Sequence, residues 1–190
     1  MSRAYRITVK ESETRELKGS DEICTDLELL EILPPEQMAD LLRGELAGRG
    51  FKEQADGTMQ RVDGDTTVTV DPCNGQVSVK SVVGEEVKIE VKREATGYDD
   101  VGPDQSTVRD RVKEQLKQDI DKKAEREVER LQGQATEKLE KKLDELQPEL
   151  GQVINKVTRD ALKEKAKHMG TIKEVAEDAE TGNLTIKIEV

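Results

Sequence analysis

The residues of this sequence able to carry chemistry are few and scattered. His168 is the only histidine and stands beside Lys165 and Lys167, close to where a helical pattern ends. One imidazole cannot by itself assemble a nucleophile, base and orienting group, or a histidine-rich metal site, so it reads as a solvated side chain near a helix terminus. Cys24 and Cys73 are isolated and lack the Cys-x-x-Cys spacing of a zinc knuckle or redox motif. They read as two small buried or half-buried thiols, with a disulfide between them left open. Acidic pairs occur at Asp63 with Asp65, flanking Gly64, and at Asp99 with Asp100. Paired carboxylates can bind a cation or divide the acid and base roles, but one Phe and two Tyr give almost nothing to wall a sugar site, and a solvated turn is favoured. The dipeptide Gly-Lys is absent, which excludes a Walker A loop, and no Gly-x-Gly-x-x-Gly occurs. No catalytic, cofactor-binding or metal-ligating residue is therefore assigned, and no cofactor is expected.

Composition narrows the partners. Charged residues make up 38% of the chain and aromatics 2%, with a formal net charge of −11. That charge repels both a nucleic-acid backbone and an anionic membrane surface, so neither is expected as a partner. The acid is unevenly placed: residues 1–103 carry 13 Lys+Arg against 22 Asp+Glu, residues 104–170 carry 16 against 15, and residues 171–190 carry 2 against 5. No signal-peptide core follows Met1 and no apolar run is long enough to span a bilayer, which makes the cytoplasm the expected address. High charge with low hydrophobicity also marks disorder, but the apolar residues here recur with regular period.

These periods define the scaffold. Tyr5 to Lys10 alternates apolar and polar as a half-buried strand does, and Ile23 to Leu33 reads as a second strand although Leu30 breaks its alternation. Pro34-Pro35-Glu36 opens a helix whose apolar face is Met38, Leu41, Leu42 and Leu46, stopped by Gly48 and Gly50. Residues 58–62, 66–70, 76–82 and 87–91 then alternate with period two, separated at Asp63-Gly64-Asp65, Asp71 to Gly75 and Gly84-Glu85, and read as a four-stranded antiparallel meander. Together these predict an α+β head domain over 1–103, with Gly97 to Pro103 as a linker.

Residues 104–170 form a long helical arm. Val108, Val112, Leu116, Ile120, Ala124, Val128, Leu131, Ala135, Leu139, Leu143 and Leu146 recur at steps of four and three, a narrow seam of one apolar residue per turn. The mean step exceeds 3.5, so a left-handed heptad coiled coil fits poorly and a straighter pairing fits better. One face of an ordinary bundle helix is the other reading. Asp119 with Lys123, Glu137 with Lys141 and Lys156 with Asp160 are favourable pairs, whereas Glu125 with Glu129, Arg126 with Arg130 and Lys138 with Lys142 set like charges on one row. Such rows call for an opposite row on a neighbour, either within the arm or on another chain, the other reading being a merely solvated charged face. Pro148 is expected to end one helix or begin another, making a helical hairpin the first choice and a kinked rod the second. Thr171 to Val175 and Leu184 to Val190, flanking Glu180 to Asn183, predict a C-terminal β-hairpin over 171–190 that returns to the sheet or pairs with another chain.

The order of Ile23 to Leu33, Pro34 to Ala39 (Pro-Pro-Glu-Gln-Met-Ala), Thr66 to Asp71 (Thr-Thr-Val-Thr-Val-Asp) and Glu177 to Leu184 resembles a bacterial family of accessory proteins. That family is associated with multi-gene ternary systems built around an FtsH-like AAA+ ATPase. The resemblance implies an accessory or adaptor role beside an ATPase and carries over no functional residue. The leading expectation is a non-enzymatic adaptor or scaffold that binds a protein partner, an AAA+ ATPase being the one the resemblance implies. A self-assembling structural protein, joined into a homo-oligomer by helical arms and terminal strands, is the alternative. An enzyme subunit with a carboxylate site at Asp63 and Asp65 is the third reading.

Overall fold

The computed structural model describes residues 4–98, 104–177 and 184–189. Its elements are β1 (Ala4–Asp26), α1 (Pro35–Gly48), β2 (Lys52–Glu53), β3 (Met59–Asp63), β4 (Thr66–Val70), β5 (Gln76–Tyr98), α2 (Gln105–Met169), β6 (Thr171–Glu177) and β7 (Leu184–Glu189). The fold class is α+β: a five-stranded antiparallel sheet in the order β1-β5-β4-β3-β2, one helix of ordinary length, one long helix and a separate two-stranded sheet. The expected linker, from residue 99 onwards, the pair Asp99 and Asp100, and the turn Glu180 to Asn183 lie outside the described residues.

Four expectations change. Ile23 to Leu33 is a strand only as far as Asp26. Residues 27–34 are irregular, and Leu29, Ile32 and Leu33 pack against the core while Leu30 stays exposed. Gly84 does not turn the chain. The Asp-Gly and Asn-Gly sites do, with Gly64 at φ 62° and Gly75 at φ 76°, but Gly84 keeps a negative φ and β5 runs on as one strand of 23 residues. Of the two readings of the arm, the hairpin gives way to the continuous helix, because α2 runs from Gln105 to Met169 through Gly133 and Pro148. Buried Leu146, Val153 and Val157 flank Pro148 and hold both sides of it in one helical path, offsetting the lost backbone hydrogen bond. Finally, β6 and β7 do not join the large sheet but hydrogen-bond to each other, pairing Ile172 with Ile188 and Val175 with Ile186 around an irregularity at Lys173.

The chain divides into two compact units. Unit 1 takes residues 1–21 and 82–137, and unit 2 takes 22–81 and 138–190, so β1, β5 and α2 supply residues to both. In unit 1, Val9, Ile89 and Val91 of the strands bury Val112, Leu116, Ile120 and Ala124 of α2. Asp104 caps that helix, accepting a hydrogen bond from the Thr107 amide at 3.2 Å and another from the Ser106 hydroxyl at 2.6 Å. In unit 2, Met38, Leu42 and Leu46 of α1, Val68, Val70, Val77 and Val79 of the meander and Leu139, Leu146, Val153, Val157 and Ala161 of α2 form one cluster around Phe51. The register pairs Met59 with Val70 and Val68 with Val79, which keeps the valines on one face.

Gly19 shows how closely a strand can approach α2 in unit 1. A Cβ placed there would lie 2.3 Å from the Gln132 backbone nitrogen and 2.4 Å from the Leu131 carbonyl carbon, so only glycine fits. Gly19→Ala is expected to destabilise the chain by about 1–3 kcal/mol. Gly133→Ala, in the same stretch of helix but with nothing within 4 Å of the new methyl group, is expected to stabilise by about 0.5–1 kcal/mol. Urea unfolding of the two variants checks the pair, and equal stabilities would refute the close approach.

Candidate partner-binding surface

Each residue singled out in the sequence now has a place. His168 is exposed in the last turn of α2. Cys24 and Cys73 are both free and both exposed, which corrects the expectation of buried thiols. The Cys73 sulfur instead accepts a long contact of 3.8 Å from the Arg43 guanidinium. Among the described residues, no group of three or more His, Cys, Asp or Glu side chains is placed to hold a metal ion.

Asp63 and Asp65 face lysines of α2 within unit 2. Asp65 pairs with Lys138, and Asp63 accepts from Lys142 at 2.9 Å and from Arg61 Nε at 3.1 Å. The Lys142 ammonium, followed by Arg61, holds the Asp63 carboxyl below its usual range, and Asp63 in turn raises Lys142. A carboxylate fixed in its ionised form by two cations is poorly suited to donate a proton. Arg61 also forks onto Glu149 of α2 through two hydrogen bonds of 2.7 and 2.8 Å, donates to the Arg49 carbonyl at 3.1 Å and lies 4.6 Å from the centre of the Phe51 ring. These contacts tie β3 to the helical turn that contains Pro148.

Part of the charge rows of α2 is answered by the chain's own strands, while Glu125, Arg126 and Glu129 are exposed and, among the described residues, form no ion pair. Arg130 reaches Glu85 at 2.5 Å, while Lys138 and Lys142 take Asp65 and Asp63. In unit 1, Asp119 binds Arg93 of β5 through two contacts of 2.5 and 3.0 Å, and Lys123 donates to the Glu90 carbonyl at 2.8 Å. The seam has the same fate. Val112, Leu116, Ile120, Leu131, Ala135, Leu139 and Leu146 are all buried, and in each unit the cores place α2 against strands. The neighbour of the seam is thus a sheet of the same chain, whose acidic residues also pair with Arg130, Lys138 and Lys142 of the rows.

What unit 2 leaves uncovered is a groove of about 410 Å³ between the end of β1, β5 and α2. Its floor is Val77, Val79 and Leu146, all fully buried, and its walls are Ile23, Leu150 and Ile154. Ile23 is 42% exposed, a large aliphatic side chain left in water. The charged residues that line the groove are Asp26 and Asp144, both acidic and exposed, and among the described residues neither forms an ion pair. Leu27 also lines an adjoining depression of about 160 Å³ beside Leu30, which is 62% exposed. No motif announces this surface. Its signal in the sequence was only the excess of apolar residues between Ile23 and Leu33.

A comparison with protein families matches the whole chain, residues 1–190, to the family described as FtsH ternary system domain X5. The chain belongs to that family. No curated protein and no solved structure matches it. Among the described residues, no helix is long and apolar enough to cross a membrane.

The Arg61 cluster makes stability depend on pH. The Glu149 and Asp63 carboxyls sit below their usual range in the folded chain, Glu149 because of the Arg61 guanidinium. Their contribution is complete above the ordinary carboxylate range of about pH 4–5 and is lost as pH falls through the lowered folded values. Glu149→Gln leaves Arg61, with a side chain only 16% exposed, without its forked partner. The expected cost is about 1–2 kcal/mol at pH 7, between that of an exposed and a buried pair. Thermal unfolding at pH 7 and at pH 3 should show the gap between wild type and variant narrowing in acid, and an unchanged gap would mean that the pair does not act through its charge.

Proposed function

We propose that this domain X5 protein is a non-enzymatic adaptor of an FtsH ternary system, binding a protein partner and holding it beside the ATPase. The observation that carries this reading is the family match over residues 1–190, which makes the chain a component of such a system. The geometry supports binding rather than turnover. The carboxylate pair at Asp63 and Asp65 is committed to lysines, whereas an apolar groove with unneutralised acid at its rim lies open in unit 2.

Self-assembly is favoured by one observation of its own. Strands β6 and β7 make a two-stranded sheet, and the cross-strand pairs place Ile172, Val175, Leu184, Ile186 and Ile188 on one face. Such a sheet is marginal alone and offers edges for pairing. The other half of that reading, association through helical arms, loses its surface because strands of the same chain cover the seam.

One experiment separates the two. The tagged full chain, produced together with the FtsH-like ATPase of its own gene cluster, is expected to stay with the ATPase through affinity purification and gel filtration, and to run as a monomer by light scattering when purified alone. Separate elution at micromolar concentration would overturn the adaptor reading. A concentration-dependent oligomer of the chain alone would favour assembly through β6 and β7.

A further inference from the structure

We infer that the groove of unit 2 receives a segment of the partner that combines aliphatic side chains with at least one lysine or arginine. This rests on the adaptor reading and names the chemistry of what is adapted. The aliphatic half of the inference follows from the lining. Val77, Val79 and Leu146 give a floor with no polar side chain, and Ile23, Leu150 and Ile154 stand as walls around an unfilled volume of about 410 Å³. The depression beside Leu30 continues the same apolar surface through Leu27. An apolar groove left partly open to solvent suits a stretch of polypeptide better than a compact ligand that must be enclosed.

The cationic half follows from the charge of the lining, set against the ion pairs elsewhere in unit 2. Asp63, Asp65 and Glu149 each hold a lysine or arginine of the same unit, as do Asp40, Glu45 and Asp160. Asp26 and Asp144, like Glu28, Glu31, Glu36 and Glu140, have no such counterion among the described residues; what sets Asp26 and Asp144 apart is that they line the groove, and no described basic residue lines it with them. Two unpaired carboxylates beside an apolar floor form a site of one sign. A basic residue flanking the inserted aliphatic side chains completes it, and an acidic one is repelled. The net charge of −11 acts in the same direction at longer range and disfavours nucleic acid as occupant.

The test uses the full chain and two short synthetic peptides with identical leucines, one carrying lysines and the other glutamates at the remaining positions. Titration of the isotope-labelled protein is expected to shift the methyl resonances of Ile23, Leu146, Leu150 and Ile154 with the lysine peptide and leave them in place with the glutamate peptide. The double variant Asp26→Asn, Asp144→Asn should weaken the lysine peptide about tenfold, roughly threefold per exposed charge pair. The variant Asp110→Asn, Glu114→Gln removes the same formal charge from an exposed part of α2 in unit 1 and should leave affinity within about twofold. Equal binding of both peptides, shifts spread over the surface, or equal weakening by the two double variants would overturn the assignment. If the ATPase copurifies with the Asp26→Asn, Asp144→Asn variant as well as with wild type, the adaptor reading stands and the groove is not its docking site.

Discussion

Everything in this fold depends on one interaction: the apolar stripe of α2 lying against strands. With one Phe and two Tyr in 190 residues, the chain has few large rings with which to build a core and must do so from Val, Leu, Ile, Ala and Met. Strands with period two expose one apolar face, and a helix with one apolar residue per turn exposes one narrow stripe. Neither can be buried alone. In unit 1, Val9, Ile89 and Val91 need Val112, Leu116 and Ile120 as much as those need the strands, and in unit 2 the valines of β4 and β5 stand in the same relation to Leu139, Leu146 and Val153. The ion pairs are secondary. Most are exposed and worth little singly, and they determine which helical turn faces which strand residue more than they add stability.

This dependence explains what was legible in the sequence and what was not. The period of Met38, Leu42 and Leu46 and the Asp63-Gly64 and Asn74-Gly75 turns are local signals, and α1, β3 and β4 appear where those signals place them. The stripe of α2 was equally visible, but periodicity reports that a face is covered and is silent about what covers it. A seam suited to a partner helix and a seam suited to a sheet are written alike. The same holds for Lys138 and Lys142, whose row demanded acid without saying that Asp63 and Asp65 would supply it from the turn between β3 and β4. Gly84 and Pro148 misled for a related reason. Both are local breakers, and in both places continuous pairing or packing along the element outweighed the local preference.

The groove was illegible for a geometric reason. Its lining comes from three separated stretches, residues 23–27, 77–79 and 143–154, and in each stretch the residues involved also satisfy an ordinary core pattern. Val77 and Val79 are buried by their own sheet and helix whether or not anything enters the groove. Only the side chains at the margin, Ile23 above all, betray a surface left unfinished, and a single exposed isoleucine in a sequence carries no message.

Charge allocation ties the fold to the proposed role. The excess acid lies in the strand-bearing segments, while residues 104–170 are close to neutral with 16 basic against 15 acidic residues. Where α2 meets strands within a unit, that excess is drawn down, because Lys142, Lys138 and Arg130 each take a strand-side carboxylate. What remains after this internal neutralisation is the acid facing solvent, and in unit 2 part of it lies where apolar surface is also exposed. Neither property alone distinguishes a binding surface, since exposed acid keeps a protein soluble and exposed aliphatic side chains are common on any surface. Their coincidence at Asp26 and Asp144 does, because these two carboxylates have no ion pair among the described residues and stand beside an open apolar floor.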